Sequence, residues 1–133
     1  MLSARFILLS LVFTLVGCAS TGGLPREPFA DIRVPASFIP YSDQWTLIRT
    51  PQVTAAKLVY LTSLSPDAAL SAVRQELVEH GWIPKEASRF VNPQGFSGFI
   101  QEFVKGTDNC RATVIEGPYA THLDLAVARL HPK

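Results

Sequence analysis

Two cysteines and three histidines are the side chains of this sequence best suited to nucleophilic, redox or metal chemistry: Cys18, Cys110, His80, His122 and His131. No histidine stands at metal-motif spacing from another histidine, a cysteine or a carboxylate. His122 and Asp124 would share one face of a strand. Two such groups fall short of the ligand number that zinc sites use. We therefore expect no metal site and no cofactor.

The sequence patterns of catalytic and phosphate-binding sites are also missing. Gly95-Phe96-Ser97-Gly98 lacks the Lys-Ser/Thr ending of a phosphate-binding loop and is typical of a turn before the next strand. Nothing around Ser65 or Ser97 resembles a nucleophile elbow. Cys110 with a histidine stays the one cysteine-based catalytic candidate, because such groups meet only in the fold. An enzyme is the least favoured functional class.

Cys18 closes a short apolar run, Phe6 to Val16, that begins directly behind Arg5. A basic start, a brief apolar segment and a small residue before the cut predict a secretory signal peptide, because the run is too short to span a bilayer. Leu15-Val16-Gly17-Cys18 resembles the lipobox of bacterial lipoproteins. That resemblance implies cleavage before Cys18 and a diacylglycerol on its sulfur.

The resemblance divides the chain into three parts. Residues 1–17 form the signal peptide, residues 18–30 the lipidated cysteine and a flexible tether rich in Gly and Pro, and residues 31–130 an α+β globular domain. Ala19 follows the cysteine in place of Asp, which in enterobacterial lipoproteins implies the periplasmic side of the outer membrane. A lipidated Cys18 leaves Cys110 as an odd cysteine, either a reactive thiol or a buried strand residue; we favour burial, because Ala112 and Val114 alternate with it.

One helix is predicted over Pro66 to His80. Ser65 is a good N-cap, Pro66 suits the first helical position, and Gly81 suits the position after the C-cap. Leu70, Val73 and Leu77 recur at helical spacing and form an apolar face.

Strands are predicted for most of the remaining domain, from runs of alternating or continuous apolar residues. They cover Trp45–Arg49, Ala56–Leu64, a start at Trp82-Ile83-Pro84, Phe99–Lys105, Arg111–Glu116 and His122–Ala128, with a hairpin at Gly106–Asn109. The fold class is α+β, in two layers, with the helix packed across an antiparallel sheet.

This domain is also similar in outline to a type of small envelope lipoprotein. The segments that carry the similarity are Val34-Pro35, Leu58-Val59-Tyr60, Ser65-Pro66-Asp67 and Gly81-Trp82. They resemble the helix-grip-like domains of accessory lipoproteins in the outer-membrane β-barrel assembly machine. The resemblance implies a fold and a location, and supplies no catalytic residues.

The function we expect is binding, with an envelope protein as the leading partner, in outer-membrane assembly or maintenance. Tyr41, Trp45 and Tyr119 are the candidate interaction surface, because Tyr and Trp are enriched at interfaces. The alternative is a carrier of a small apolar ligand or lipid, with a pocket between helix and sheet lined by Leu70, Val73, Phe99 and Phe103. A formal net charge of +1 without a basic patch argues against nucleic acid as a partner.

The lipobox makes a direct prediction for Cys18. Stable attachment to a membrane needs more than one acyl chain. Replacing Cys18 with Ser removes the sulfur that carries the diacylglycerol, so the variant should be released from membranes or stay unprocessed. Intact mass spectrometry of the wild-type protein should show cleavage before residue 18 and added lipid. An uncleaved, unmodified mass would contradict the assignment.

Overall fold

A computed structural model describes residue 29 and residues 32–41 and 46–131. In this part of the chain one helix packs against a seven-stranded antiparallel sheet, so the predicted α+β class is confirmed, with the sheet as the dominant component. Cys18 and Trp45 lie outside the described residues. The elements are β1 (Ile39–Pro40), β2 (Thr46–Arg49), β3 (Val53–Thr62), α1 (Pro66–Glu79), β4 (Ile83–Val91), β5 (Ser97–Lys105), β6 (Asp108–Glu116) and β7 (Thr121–Leu130).

The sheet has the order β1-β3-β7-β6-β5-β4, and β2 pairs with the same strand as β1. The last strand, β7, lies beside β3 along the whole of both strands, from Val53 opposite Leu130 to Thr62 opposite Thr121. This pairing joins two strands that are far apart in the sequence. β4, β5, β6 and β7 follow one another as a meander, which is the arrangement that short turns favour.

The helix begins and ends where its capping residues predict. The Ser65 hydroxyl accepts a hydrogen bond from the Ala68 backbone N–H at 3.3 Å, and Pro66 occupies the first turn. His80 is the C-cap, and Gly81 follows in the left-handed region at φ 88°, a conformation that glycine adopts without strain. The helix is therefore confirmed, one residue shorter than predicted.

The core lies between the helix and one face of the sheet. Ala69, Leu70, Val73 and Leu77 are the buried helix residues, which confirms the predicted apolar face. Trp82 is buried as well and fixes the chain where it returns from the helix to β4. The sheet side of the core is formed by alternate residues of four strands: Leu58, Phe103, Ala112, Val114, Leu123 and Leu125.

The segment before β1 covers the part of this sheet face nearest β3. Phe29, which the sequence assigns to the tether, is buried, with its ring 5.8 Å from the guanidinium carbon of Arg129. Arg129 Nε donates to Asp108 Oδ2 at 2.8 Å, and both side chains are largely buried. The first described residue of the domain is thus held at the end of β7.

A buried glutamine compensates for an irregularity in β4. The pairing of β4 with β5 shifts between Pro84 and Ala87, which leaves the Lys85 carbonyl outside the regular ladder. Gln101 Nε2 donates to this carbonyl at 2.7 Å, and its Oε1 accepts from Arg74 Nε at 3.0 Å. The side chain of Gln101 therefore satisfies the bulge and links it to the helix.

The turns between strands follow their glycine positions. The β5–β6 hairpin turns through Gly106, at φ 61°, and Thr107 alone. Asp108 and Asn109, predicted as part of this turn, belong to β6. In the β4–β5 connection Asn92 Oδ1 accepts from the backbone N–H groups of Gln94 and Phe96, which confirms a turn before the Phe99 strand.

The helix–sheet interface predicts unequal effects of two truncations on neighbouring residues. Leu77→Ala should lower the free energy of unfolding by about 2–5 kcal/mol, because Leu77 is fully buried against the sheet. Val78→Ala should change it by about 0.5 kcal/mol or less, because Val78 is 46% exposed on the same helix. Chemical denaturation of both variants measures the difference, and equal losses would show that the buried face is misassigned.

Candidate functional site

Among the described residues, the helix covers one face of the sheet and no helix lies on the other. Side chains alternate between the two faces of a strand. Because Ala56, Cys110 and Val127 point into the core, their neighbours Lys57, Arg111 and Ala126 point the other way. We call this second surface the open face.

A groove of about 580 Å³ runs across the open face, within the size range of small-ligand sites. Three alanines on adjacent strands make its floor: Ala55 on β3, and Ala126 and Ala128 on β7. Thr46 and Ile48 of β2 line one side, and Asn109 and Arg111 of β6 line the other. The groove exists because two neighbouring strands place small residues where their flanking strands place long ones.

Two ion pairs border one end of the groove. Lys57 Nζ lies 3.1 Å from Asp124 Oδ2, and Arg111 Nη2 lies 2.7 Å from Glu102 Oε1. The side chains of Lys57 and Arg111 are 56% and 59% exposed, so each pair contributes only about 0–1 kcal/mol to stability. These four charged groups are therefore available to a ligand at little cost to the fold.

The predicted interaction residues lie apart from this groove. Tyr41 follows β1 and is 43% exposed, with its backbone N–H donating to the Val59 carbonyl at 2.8 Å. Tyr119 is 99% exposed in the connection between β6 and β7. Neither residue lines the groove. Trp45 belongs to residues 42–45, outside the described part of the chain, as does Cys18.

The interface between helix and sheet, where the ligand-carrier alternative placed its pocket, is filled with side chains. Leu70, Val73 and Phe103 are buried in it, and Phe99 packs against them partly buried. The groove lies on the other side of the sheet. The sequence does contain a sign of this groove. Ala126 and Ala128 are small residues at positions of the last strand that alternate with its buried apolar residues.

Cys110 is buried on the core side of β6, together with Ala112 and Val114, as the alternation predicts. Its neighbour Tyr60 is buried too, and this burial, together with the nearby Cys110 thiol, raises the pKa of the Tyr60 hydroxyl above its usual value of 10.0. The Tyr60 hydroxyl is thus held in its neutral form inside the core.

The histidines occupy separate positions. His80 Nδ1 donates to the Glu76 carbonyl at 2.7 Å, and His131 Nε2 lies 2.7 Å from Thr54 Oγ1. His122 and Asp124 share the open face of β7, as their spacing predicts. Among residues 29, 32–41 and 46–131, no group of three or more His, Cys, Asp or Glu side chains comes together as a metal site would require.

The comparisons with known proteins identify no relative. No family model, no curated protein and no solved structure matches this chain.

Within the part of the chain that the structure describes, no helix has the length and apolar character needed to cross a bilayer.

The raised pKa of Tyr60 predicts a loss of stability in alkaline solution. An acid with a higher pKa in the folded state stabilises the fold below its unfolded pKa of 10.0, and this contribution falls as pH rises toward the folded value. Thermal unfolding between neutral pH and pH above 10 should therefore show a smaller alkaline loss in Tyr60→Phe than in the wild type. Tyr119→Phe, at an exposed site, is the control, and identical losses in all three proteins would contradict the assignment.

Proposed function

We propose that this chain is a lipid-anchored lipoprotein of the bacterial envelope whose small α+β domain acts by binding. In this proposal Cys18 carries the lipid, and the domain has the helix-grip-like arrangement of accessory envelope lipoproteins. What supports this part of the proposal is that the one helix of the described residues packs across a meander of antiparallel strands. The partner is an envelope protein, and the role is outer-membrane assembly or maintenance.

The observation that carries the proposal is the one-sided burial of the sheet. The helix and the segment around Phe29 cover one face, while the open face keeps a groove with an apolar floor. A concave surface with an apolar floor and a few charged groups at its edge is typical of a binding site. The exposed aromatic Tyr119 adds a side chain of the type that anchors interfaces.

The position of Phe29 gives the two ends of the domain different roles. Phe29 lies against Arg129 at the end of β7, so the tether reaches the domain at this end. Tyr119 lies at the opposite end of β7, in the connection that precedes it. A domain anchored through Cys18 therefore holds its Arg129 end nearer the membrane and presents Tyr119 away from it.

The interaction proposal is tested by the two exposed tyrosines in the described region. Tyr41→Ala with Tyr119→Ala should reduce recovery of the cross-linked partner from membranes, because truncation of an interface anchor costs about 2 kcal/mol, a roughly 30-fold loss of affinity. Ile83→Ala, at an exposed apolar residue of the opposite sheet edge, is the matched control. Quantitative mass spectrometry measures the recovery, and circular dichroism shows that the fold is kept.

Two results would contradict the proposal. One is equal partner recovery by the tyrosine variant and the Ile83→Ala control. The other is turnover of an ester, glycan or peptide substrate by the purified protein that is lost in Cys110→Ala or His122→Ala.

A further inference from the structure

We infer that the groove on the open face binds a single-chain amphiphile with an anionic head, such as a fatty acid or a phosphate-bearing lipid with one chain inserted. The aliphatic tail lies on the alanine floor, and the head lies over Ala126 between Lys57 and Arg111. This ligand class follows from the lining of the groove and from the placement of its charges.

The floor of the groove suits an unbranched aliphatic tail. Ala55 and Ala128 lie directly opposite each other on β3 and β7, and Val53 and Leu130 continue the same face to the end of the strands. Ile48 stands opposite Ala55 on the outer side. These side chains carry no hydrogen-bonding group, and the Asn109 amide stands at the β6 side of the floor. An aliphatic tail on this floor therefore leaves no polar group of its own without a partner.

The two cations flank one alanine. Lys57 on β3 and Arg111 on β6 are both register partners of Ala126, one on each side of it. Alanine has no side chain beyond its Cβ, so a gap stays open between the ammonium and the guanidinium groups. Arg111 Nε and Nη2 donate to Glu102 Oε1 at 3.1 and 2.7 Å. A carboxylate or phosphate in this gap accepts charge-assisted hydrogen bonds from the Lys57 ammonium and from the remaining N–H groups of Arg111.

The carboxylates of the two ion pairs lie around the edge of this gap. Asp124 lies farther along β7 from Ala126, and Glu102 stands opposite Arg111 on β5. Because both pairs are more than a third exposed on each side chain, an anionic head can share their cations at little cost.

The groove lies within reach of a lipid source, a step that rests on the proposed anchoring at Cys18. Its apolar end, at Ala55 and Ala128, is toward the same end of the sheet as Arg129 and Phe29. Residues 18–28 span at most about 35–40 Å when fully extended. A lipidated Cys18 therefore keeps this end of the groove near the bilayer surface.

The test is calorimetric titration of laurate, below its micelle concentration, into the mature chain with Cys18→Ser, which carries no acyl chain of its own. We expect saturable binding of one laurate per protein and binding of dodecyl maltoside, which has the same tail and an uncharged head, at least about fivefold weaker. Absence of laurate binding overturns the inference. Equal affinity for the two probes overturns the head site.

Two pairs of variants assign the binding to the groove. Ala126→Trp should abolish laurate binding by filling the gap, while Ser88→Trp, at an exposed position of β4 outside the groove, should leave it unchanged. Lys57→Gln with Arg111→Gln should weaken binding about tenfold, against no change in Arg89→Gln. A folded Ala126→Trp protein that binds laurate like the wild type overturns the inference.

Extraction of the protein purified from membranes separates the two natural sources of such a ligand. Mass spectrometry of the extract should show either a free fatty acid or a phospholipid in amounts that fall in Ala126→Trp and not in Ser88→Trp. Equal lipid in both variants overturns binding at the groove. Failure of these tests is distinguishable from failure of the anchoring and partner tests, since those tests measure acylation of Cys18 and partner recovery through Tyr41 and Tyr119, outside the groove.

Discussion

A seven-stranded sheet has two faces, and within residues 29, 32–41 and 46–131 a helix covers only one of them. That asymmetry governs the rest of the structure. The apolar residues of α1 meet the alternate residues of β4 to β7, and the segment around Phe29 and Phe38 extends the same layer toward β3. Around the groove, the other face meets water with charged pairs and small residues.

Polar groups stabilise the places where regular pairing ends. Gln101 satisfies the carbonyl that the β4 bulge releases, and it does so from inside the core. The Arg129–Asp108 pair holds Phe29 at the end of β7. On the open face the corresponding pairs, those of Lys57 and Arg111, are exposed and weakly stabilising. Buried ion pairs position the chain, whereas exposed ion pairs can accept a ligand. This contrast is why we assign function to the open face.

The local part of the fold follows from the sequence. Ser65, Pro66 and Gly81 define the helix because capping acts between residues a few positions apart. Strand alternation is also a local rule. It places Phe103 and Cys110 in the core, and His122 and Asp124 together on one face. The binding role, the lipid anchor and the membrane location stay predictions from the sequence.

The long-range part of the fold could not be predicted from the sequence. Nothing local indicates that β3 pairs with β7, that the Lys85 carbonyl needs Gln101, or that Phe29 packs on Arg129. The groove depends on the same pairing. Lys57 and Arg111 lie on the two sides of Ala126 only because their strands both pair with β7. Sequence reasoning favoured aromatic residues near turns and so missed a groove whose floor is made of alanines.

The central claim is that the open face, rather than the outer face of the helix, is occupied in the envelope. Thiol-labelling rates of Ala126→Cys and Val78→Cys, on the open face and the exposed side of α1, test it directly, because native Cys110 is buried. The account predicts that residue 126 labels rapidly in the purified non-acylated protein and slowly in intact envelopes, while residue 78 labels rapidly in both. Rapid labelling of residue 126 in envelopes, with protection of residue 78, would contradict it.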